Sequence, residues 1–326
     1  MKVAVSARDI VAFSRYGVVA ALVLLVGFGG WRYDHFLGAY NVLTFLRYNS
    51  MFALVGLGMT FVIMTGGIDL SVGALAALGS VVSALFSPYG LWPGVIAGAA
   101  AGLAVGLLNA AIIIRLNILP FIVTLATMLA ARGTALLLAH NTSVAVSYDT
   151  DFMGIGQGDF LHFPIPAWIA LAAYVLGSLL LNFTAFGRVT LAIGGNEDAT
   201  RMMGLPVDRV KLGVYAMSGL LAGIAGVILA AQFGAGQPIE GNGWELFAIS
   251  AVVVGGTLLT GGEGAVGTTL AGVLLLGLIF NILNFENGLG WISLSAYWQS
   301  VLRGAFLLLV VVMQAKLTAR DRKAAA

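Results

Sequence analysis

Few residues in this sequence could do chemistry, and the most costly to place is Asp69. It stands in MTGGIDLSVG, residues 64 to 73, between two long apolar runs, where an unpaired carboxylate is expensive. Gly66 and Gly67 interrupt the preceding run, and Asp69 ahead of Leu70 and Ser71 suits a helix N-cap. There a carboxylate accepts hydrogen bonds from the free N–H groups at the positive end of the helix dipole. Two roles fit: a cap that holds a tight turn, or a group lining a path or gate for a polar solute. Ser71, Asn109, Thr124 and Asn281 are further hydrogen-bonding groups within or beside apolar runs, and Phe121 and Trp298 offer flat apolar platforms. Together with Asp69 they form the candidate pathway set, with packing against helices or lipid as the competing use of the two aromatics. Arg132 and Arg303 suit pairing with carbonyls or acids, or reaching to an interface.

The second hydrophilic exception is the loop of about 187–210, which holds GGNEDATRMMGLPVDR. Asn196 or Glu197 can start a short helix, Gly204 can stop it and Pro206 lies beyond. So short a helix is marginal alone in water, and its small, charged and Met side chains suit a groove in a partner. A solvated basic loop is the simpler alternative.

Other chemistry is excluded. GxxxxGK[ST] is absent and none of the four lysines follows a glycine, so any ATP must be hydrolysed by another chain. GEGAVG, 262 to 267, matches GxGxxG, but an apolar run of lipid length follows it, not a βαβ unit. His35, His140 and His162 lack metal-binding spacing, cysteine is absent, and GxSxG and SxxK do not occur. No cofactor is expected. The sequence therefore describes a protein that is not an enzyme.

The elements that must position these residues follow from composition. With 60% hydrophobic and 9% charged residues and a mean hydropathy of +1.00, the chain cannot clothe itself in polar surface. It is expected to be an all-α integral membrane protein, a polytopic bundle of about ten transmembrane helices, some short or broken, in a single domain over 1–326. The spans read as 16–34, 43–65, 70–86, 92–114, 118–139, 164–183, 210–232, 245–259, 265–285 and 293–315. Spans 70–86 and 245–259 are short, as half-helices beside glycine pairs would be. The first span ends in GGWRYDHF rather than a small-residue cleavage site, so it reads as retained.

Of 16 Lys and Arg, alternating spans with a cytoplasmic start place Lys2, Arg8, Arg15, Arg115, Arg188, Arg201, Arg209, Lys211, Lys316, Arg320, Arg322 and Lys323 inside. Only Arg32 falls outside, while 140 to 163 carries three aspartates and no Lys or Arg. Both termini are expected in the cytoplasm. TGGEGAVG, 260 to 267, echoes TGGIDLSVG, 65 to 73, one residue shorter, and suggests two related helical hairpins with both breaks at the cytoplasmic side. The glycines of GVIAGAAAGLAVG, 94 to 106, are read as close helix packing.

Four stretches resemble the membrane permease subunits of ribose-type, carbohydrate-importing ABC transporters. They are GMTFVIMTGGIDLSVGAL (58 to 75), GLLNAAIIIRLNILPFIVTLATMLAARG (106 to 133), AIGGNEDATRMMGLPVDRVK (192 to 211) and AISAVVVGGTLLTGGEGAVGTTLAG (248 to 272). The resemblance covers residues 40 to 315. It implies a multi-pass protein of the bacterial inner membrane that moves a monosaccharide inward. Its implied partners are a cytoplasmic ABC ATPase subunit, a periplasmic sugar-binding protein and a second permease, either a homodimer mate or a paralogue. Nucleic acid is not among them. It also implies the coupling role of Gly195, Asn196, Glu197, Ala199, Thr200, Arg201 and Gly204. NFENGLGWISLSAYWQSVLRGAFLLLVVVMQ, 284 to 314, is most similar to members that handle galactofuranose. The chain departs from common members at Asn109-Ala110, Leu119 and Glu263. An ion-coupled secondary transporter of a small polar solute, with Asp69 as its proton or cation site, is the rival reading. A membrane-embedded enzyme is disfavoured for want of a nucleophile, a base or a metal cluster.

Overall fold

The computed structural model describes residues 7 to 288, with side chains from Gly17, and isolated helical positions at 298, 301, 304, 305, 308 and 312. Twelve helices run through 7 to 288. They are α1 (Ala7–Arg32), α2 (Ala39–Met64), α3 (Val72–Phe86), α4 (Leu91–Leu116), α5 (Pro120–Leu138), α6 (Gly154–Gln157), α7 (Ile165–Phe183), α8 (Ala185–Gly195), α9 (Glu197–Met202), α10 (Val207–Phe233), α11 (Trp244–Val254) and α12 (Val266–Gly288). Among the described residues, seven helical stretches are long and apolar enough to cross a membrane, and 17–32 and Trp244–Val254 are shorter apolar helices. Each expected span from 16–34 to 265–285 coincides with one of these nine, and of 293–315 only the six isolated helical positions are described.

The main discrepancy is α11, which ends at Val254 rather than 259, because Gly255 and Gly256 stop it and Gly256 takes φ +86°. The all-helical expectation also needs a small correction. Four two-residue strands occur in loops: β1 (Val144–Ala145) pairs antiparallel with β4 (Ala235–Gly236), and β2 (Asp159–Phe160) with β3 (Phe163–Pro164).

Helix alternation gives the bundle a basic end and an acidic end. The basic end carries Arg115, Arg188, Arg201 and Arg209; the acidic end carries Asp149, Asp151 and Asp159. α2 and α10 are innermost: from Asn49 to Met64 every residue of α2 except the half-buried Phe52 is buried. α10, α7, α11 and α12 pack against α2, α3 and α4 pack against α10, α5 against α3 and α4, and α1 against α12.

Lipid tails give helices no hydrophobic reason to associate, so close backbone approach must supply the attraction. The glycines of 94 to 106 do this, as their spacing predicted. Gly94, Gly98, Gly102 and Gly106 form a buried stripe along α4 that meets Gly219 and Gly223 of α10 and Gly79 of α3. A methyl group at Gly102 would overlap the Gly219 carbonyl oxygen, and one at Gly79 would stand 2.9 Å from that of Gly223.

Candidate functional site

The break between α2 and α3 is built around Asp69, which has no exposed surface. One carboxylate oxygen, Oδ1, accepts the Ser71 N–H at 2.9 Å and the Ser71 hydroxyl at 2.5 Å; Oδ2 accepts the Ser218 hydroxyl from α10 at 2.8 Å. Asn109 of α4 donates its amide to Ser71 Oγ at 3.1 Å. Thr124 of α5 accepts the Leu70 N–H at 3.1 Å, and its hydroxyl lies 2.9 Å from the Pro120 carbonyl and 3.2 Å from that of Ile68.

Asp69 thus closes an Asx turn two residues on, which leads into α3 instead of capping the helix directly. Burying a carboxylate costs several kcal/mol, and charge-assisted hydrogen bonds from three donors offset it. The polar atoms of Asp69, Ser71, Asn109 and Thr124 are turned toward protein, and all four residues are sealed from solvent in this conformation.

The sequence reading missed Ser218 and Tyr215. Both sit on α10; a methyl group at Gly67 would overlap the Tyr215 hydroxyl. A lone serine among small apolar residues, YAMSGLLAG, was the available signal.

The other pathway candidates lie elsewhere. Phe121 follows Pro120 in the first turn of α5 with its side chain about half exposed. Asn281 of α12 exchanges amide hydrogen bonds with Asn41 of α2, at 3.0 and 3.3 Å. Asn41 begins α2 and Met64 ends it, so this pair sits about 35 Å from the Asp69 turn by helix rise. Trp298 is helical and about half exposed. Arg132 meets the carbonyls of Pro238 and Glu240, as its position suggested, and Arg303 lies outside the described residues.

The expected helix of the 187–210 loop forms as α9. Asn196 Oδ1 accepts the Ala199 N–H at 2.9 Å, Gly204 ends the segment at φ +76°, and the buried Thr200 hydroxyl donates to the Asn196 carbonyl at 2.7 Å. Ion pairs bind α9 to α10: Lys211 to Glu197 at 2.5 Å and Arg201 to Asp208 at 2.7 Å. Arg201 also reaches Glu197 at 3.4 Å. The hydrogen bond to Asp208 raises the pKa of Arg201 further. Gly195, Asn196, Arg201, Met202, Met203 and Gly204 are exposed, and Ala199 and Glu197 are partly so.

A contact unannounced by the sequence joins the end of α8, just ahead of α9, to both glycine turns. Gly262 N–H donates to the Met64 carbonyl at 3.0 Å, so the turn after α11 is bonded to the end of α2. Gly194, in the last turn of α8, packs between them, where a methyl group would overlap both Met64 O and Gly262 N. The glycine pair ahead of Asn196 was the signal. Only the folded chain shows that it touches Met64, directly ahead of TGG at 65 to 67, and TGG at 260 to 262.

A polytopic helical bundle with two broken hairpins and one capped, charged helix at its basic end is the architecture of a multi-pass membrane protein. Residues 41–311 match the family described as branched-chain amino acid transport system / permease component. The chain belongs to that family, whose sugar members are the permease subunits of ABC importers. It is 41% identical over 287 residues to the ribose import permease protein RbsC of Bacillus subtilis, covering 87% of each chain. It is 40% identical to the L-arabinose transport system permease protein AraH of Escherichia coli, covering 81% of this chain and 79% of that one. To the Escherichia coli RbsC it is 37% identical, over 91% of this chain and 92% of that one. No solved structure matches. The chain is a permease component and not an enzyme; the ATPase resides in a separate subunit.

Proposed function

We propose that this chain carries a monosaccharide of the ribose or arabinose type inward across the bacterial inner membrane, driven by an ABC ATPase docked on α9. The observation that carries the reading is the backbone junction of Gly194, Met64 and Gly262, which ties the end of α8, two residues ahead of α9, to both glycine turns. Closure of the ATPase would press on Gly195, Asn196, Glu197, Ala199, Thr200, Arg201 and Gly204, and the junction would pass the displacement to α2, α3, α11 and α12. Two packed arrangements of those helices would then face the path outward or inward in turn.

In this reading the basic end and both termini are cytoplasmic and the helix count is ten, with 293–315 as the last span. A binding protein delivers sugar to the acidic end, and a second permease completes the path. Phe121, Asn281 and Trp298 are its proposed borders, with Asp69, Ser71, Asn109 and Thr124 as the braced turn behind them. Ribose, arabinose and galactofuranose are the sugars to try first, since relatives and sequence resemblance point to these.

The test is ATP-driven uptake in vesicles holding the chain with its ATPase and binding protein. Reversing both charges, Glu197→Lys with Arg201→Glu, breaks the pairs to Lys211 and Asp208 and is expected to leave ATP hydrolysis running without uptake. Uptake that survives the double reversal, or that follows a proton gradient without ATPase, sinks the reading in favour of an ion-coupled carrier.

A further inference from the structure

The stretch QPIEGNG, residues 237 to 243, joins α10 to α11 and belongs by connectivity to the acidic end, yet it does not stay there. A methyl group at Gly236 would lie 2.7 Å from the Ser80 carbonyl and 2.8 Å from Val81 Cα, while Gly241 and Gly73 are so close that a methyl group on either would overlap the other's carbonyl. The chain therefore runs along α3 from Val81 to Gly73. Phe86 ends α3 at the acidic end, so Gly241 lies about 20 Å below that end by helix rise. That is past the middle of a hydrocarbon layer about 30 Å thick.

This descending segment has no regular structure beyond β4. Gly241 and Gly243 take φ +78° and +79°, which admits the close approach to α3 and the turn into α11. Arg132 of α5 clamps it by donating one guanidinium nitrogen to the carbonyls of both Pro238 and Glu240. Ser80 Oγ accepts the Gln237 N–H at 3.0 Å, and the Glu245 carboxylate takes the N–H groups of Gly243 and of its own residue. Ile239, Glu240 and Asn242 are exposed.

Non-helical backbone at membrane depth is tolerated only inside protein or along a water-filled cavity, and an ionisable side chain facing lipid is costly. A dry contact with a second subunit would leave the Glu240 carboxylate buried, with the nearby Arg132 guanidinium already committed to carbonyls. Water is the environment that suits all of these groups.

We infer that residues 237 to 243 form a re-entrant segment lining the aqueous translocation path. On it the Glu240 carboxylate and Asn242 amide take the hydroxyls of a neutral monosaccharide in passing, beside the apolar wall of Ile239. A carboxylate and an amide, the latter also donating to the Ile239 carbonyl at 2.8 Å, accept and donate to vicinal hydroxyls, and two exposed groups on an irregular segment hold sugar weakly enough to release it. Arg132 is a positioning residue that fixes the segment. The inference rests on the sugar-importer reading for its ligand, and the geometry supplies the place.

The natural chain has no cysteine, so single cysteines report cleanly. In the assembled importer in vesicles, Glu240→Cys and Asn242→Cys are treated with a membrane-impermeant cationic methanethiosulfonate, with Leu129→Cys and Val175→Cys as controls on exposed apolar helix faces. The two segment cysteines are expected to react and the controls not. Whichever of ribose and arabinose the vesicles accumulate should slow the reaction several-fold at Glu240→Cys and Asn242→Cys. Glu240→Gln and Asn242→Ala should raise the KM for uptake about five- to tenfold, the cost of a lost hydrogen bond to a hydroxyl, with the maximal rate of ATP hydrolysis kept. Unreactive cysteines at 240 and 242, reactivity that sugar leaves unchanged, or an unaltered KM would each overturn the inference. Absence of ATP-driven uptake in the parent chain would instead sink the importer reading.

Discussion

The two glycine turns share a sequence echo and meet in space, yet they are held by different forces. At 65 to 71 the acid is buried: Asp69 takes three donors from Ser71 and Ser218, and Asn109 and Thr124 brace the flanks. At 255 to 265 the acid is exposed: Glu263 points away, and backbone supplies the ties, Gly262 N–H to Met64 and Leu258 N–H to the Glu263 carbonyl. A turn bolted by a buried charge network resists change in shape, because each lost donor leaves an unsatisfied group. A turn of glycines with positive φ and single backbone bonds can shift at little cost. The pair therefore consists of a fixed pivot and a compliant partner, with Gly194 wedged between them.

The comparison breaks most readily at the pivot. Asp69→Ala strands the Ser71 and Ser218 donors in the core, and a loss of about 3 kcal/mol or more is expected. It should appear as a large fall in thermal stability of the detergent-solubilised chain and in membrane yield. At the wedge, Gly194→Ala must displace Met64 or Gly262 and is expected to cost about 1–3 kcal/mol. Its signature differs from that of Asp69→Ala, because uptake per ATP hydrolysed should fall further than stability does. Ser218→Ala removes one donor and should cost about 1–2 kcal/mol in the same melting assay. Tyr215→Phe deletes a buried hydroxyl that makes no hydrogen bond among the described residues, and should change stability by under about 0.5 kcal/mol. Glu263→Gln is the smallest: an exposed side chain with no ion pair among the described residues, expected to leave both uptake and stability as they were. Equal damage from Glu263→Gln and Asp69→Ala would erase the distinction between the turns.

Much of the bundle was legible in the residues. Apolar runs of lipid length mark helices because a bilayer admits few other spanning structures, and the GxxxG stripe of 94 to 106 announces close packing. Asn196, Gly204 and Pro206 mark α9 through local backbone rules that hold in any setting. Asp69, Ser71, Asn109 and Thr124 were singled out as costly polar groups, and the fold gathers all four around one turn. Asn281 was chosen on the same ground and sits with Asn41 at the far end of α2. Polarity at membrane depth says that a group needs a partner without saying which one. The QPIEGNG stretch read as an ordinary connection, since nothing in seven residues tells whether a loop caps a bundle or dives into it.

By itself the sequence determined solvent, element and cap: lipid from composition, helices from the lengths of apolar runs, and α9 from its stop and start residues. Each of these is a local energy, decided within a few turns of chain. Only the tertiary structure decided that Ser218 answers Asp69 across 149 residues, that Gly194 locks against Gly262 and Met64, and that residues 237 to 243 descend beside α3. Those contacts depend on how helices far apart in the chain stack, and stacking energy is shared among many weak approaches that no short motif encodes.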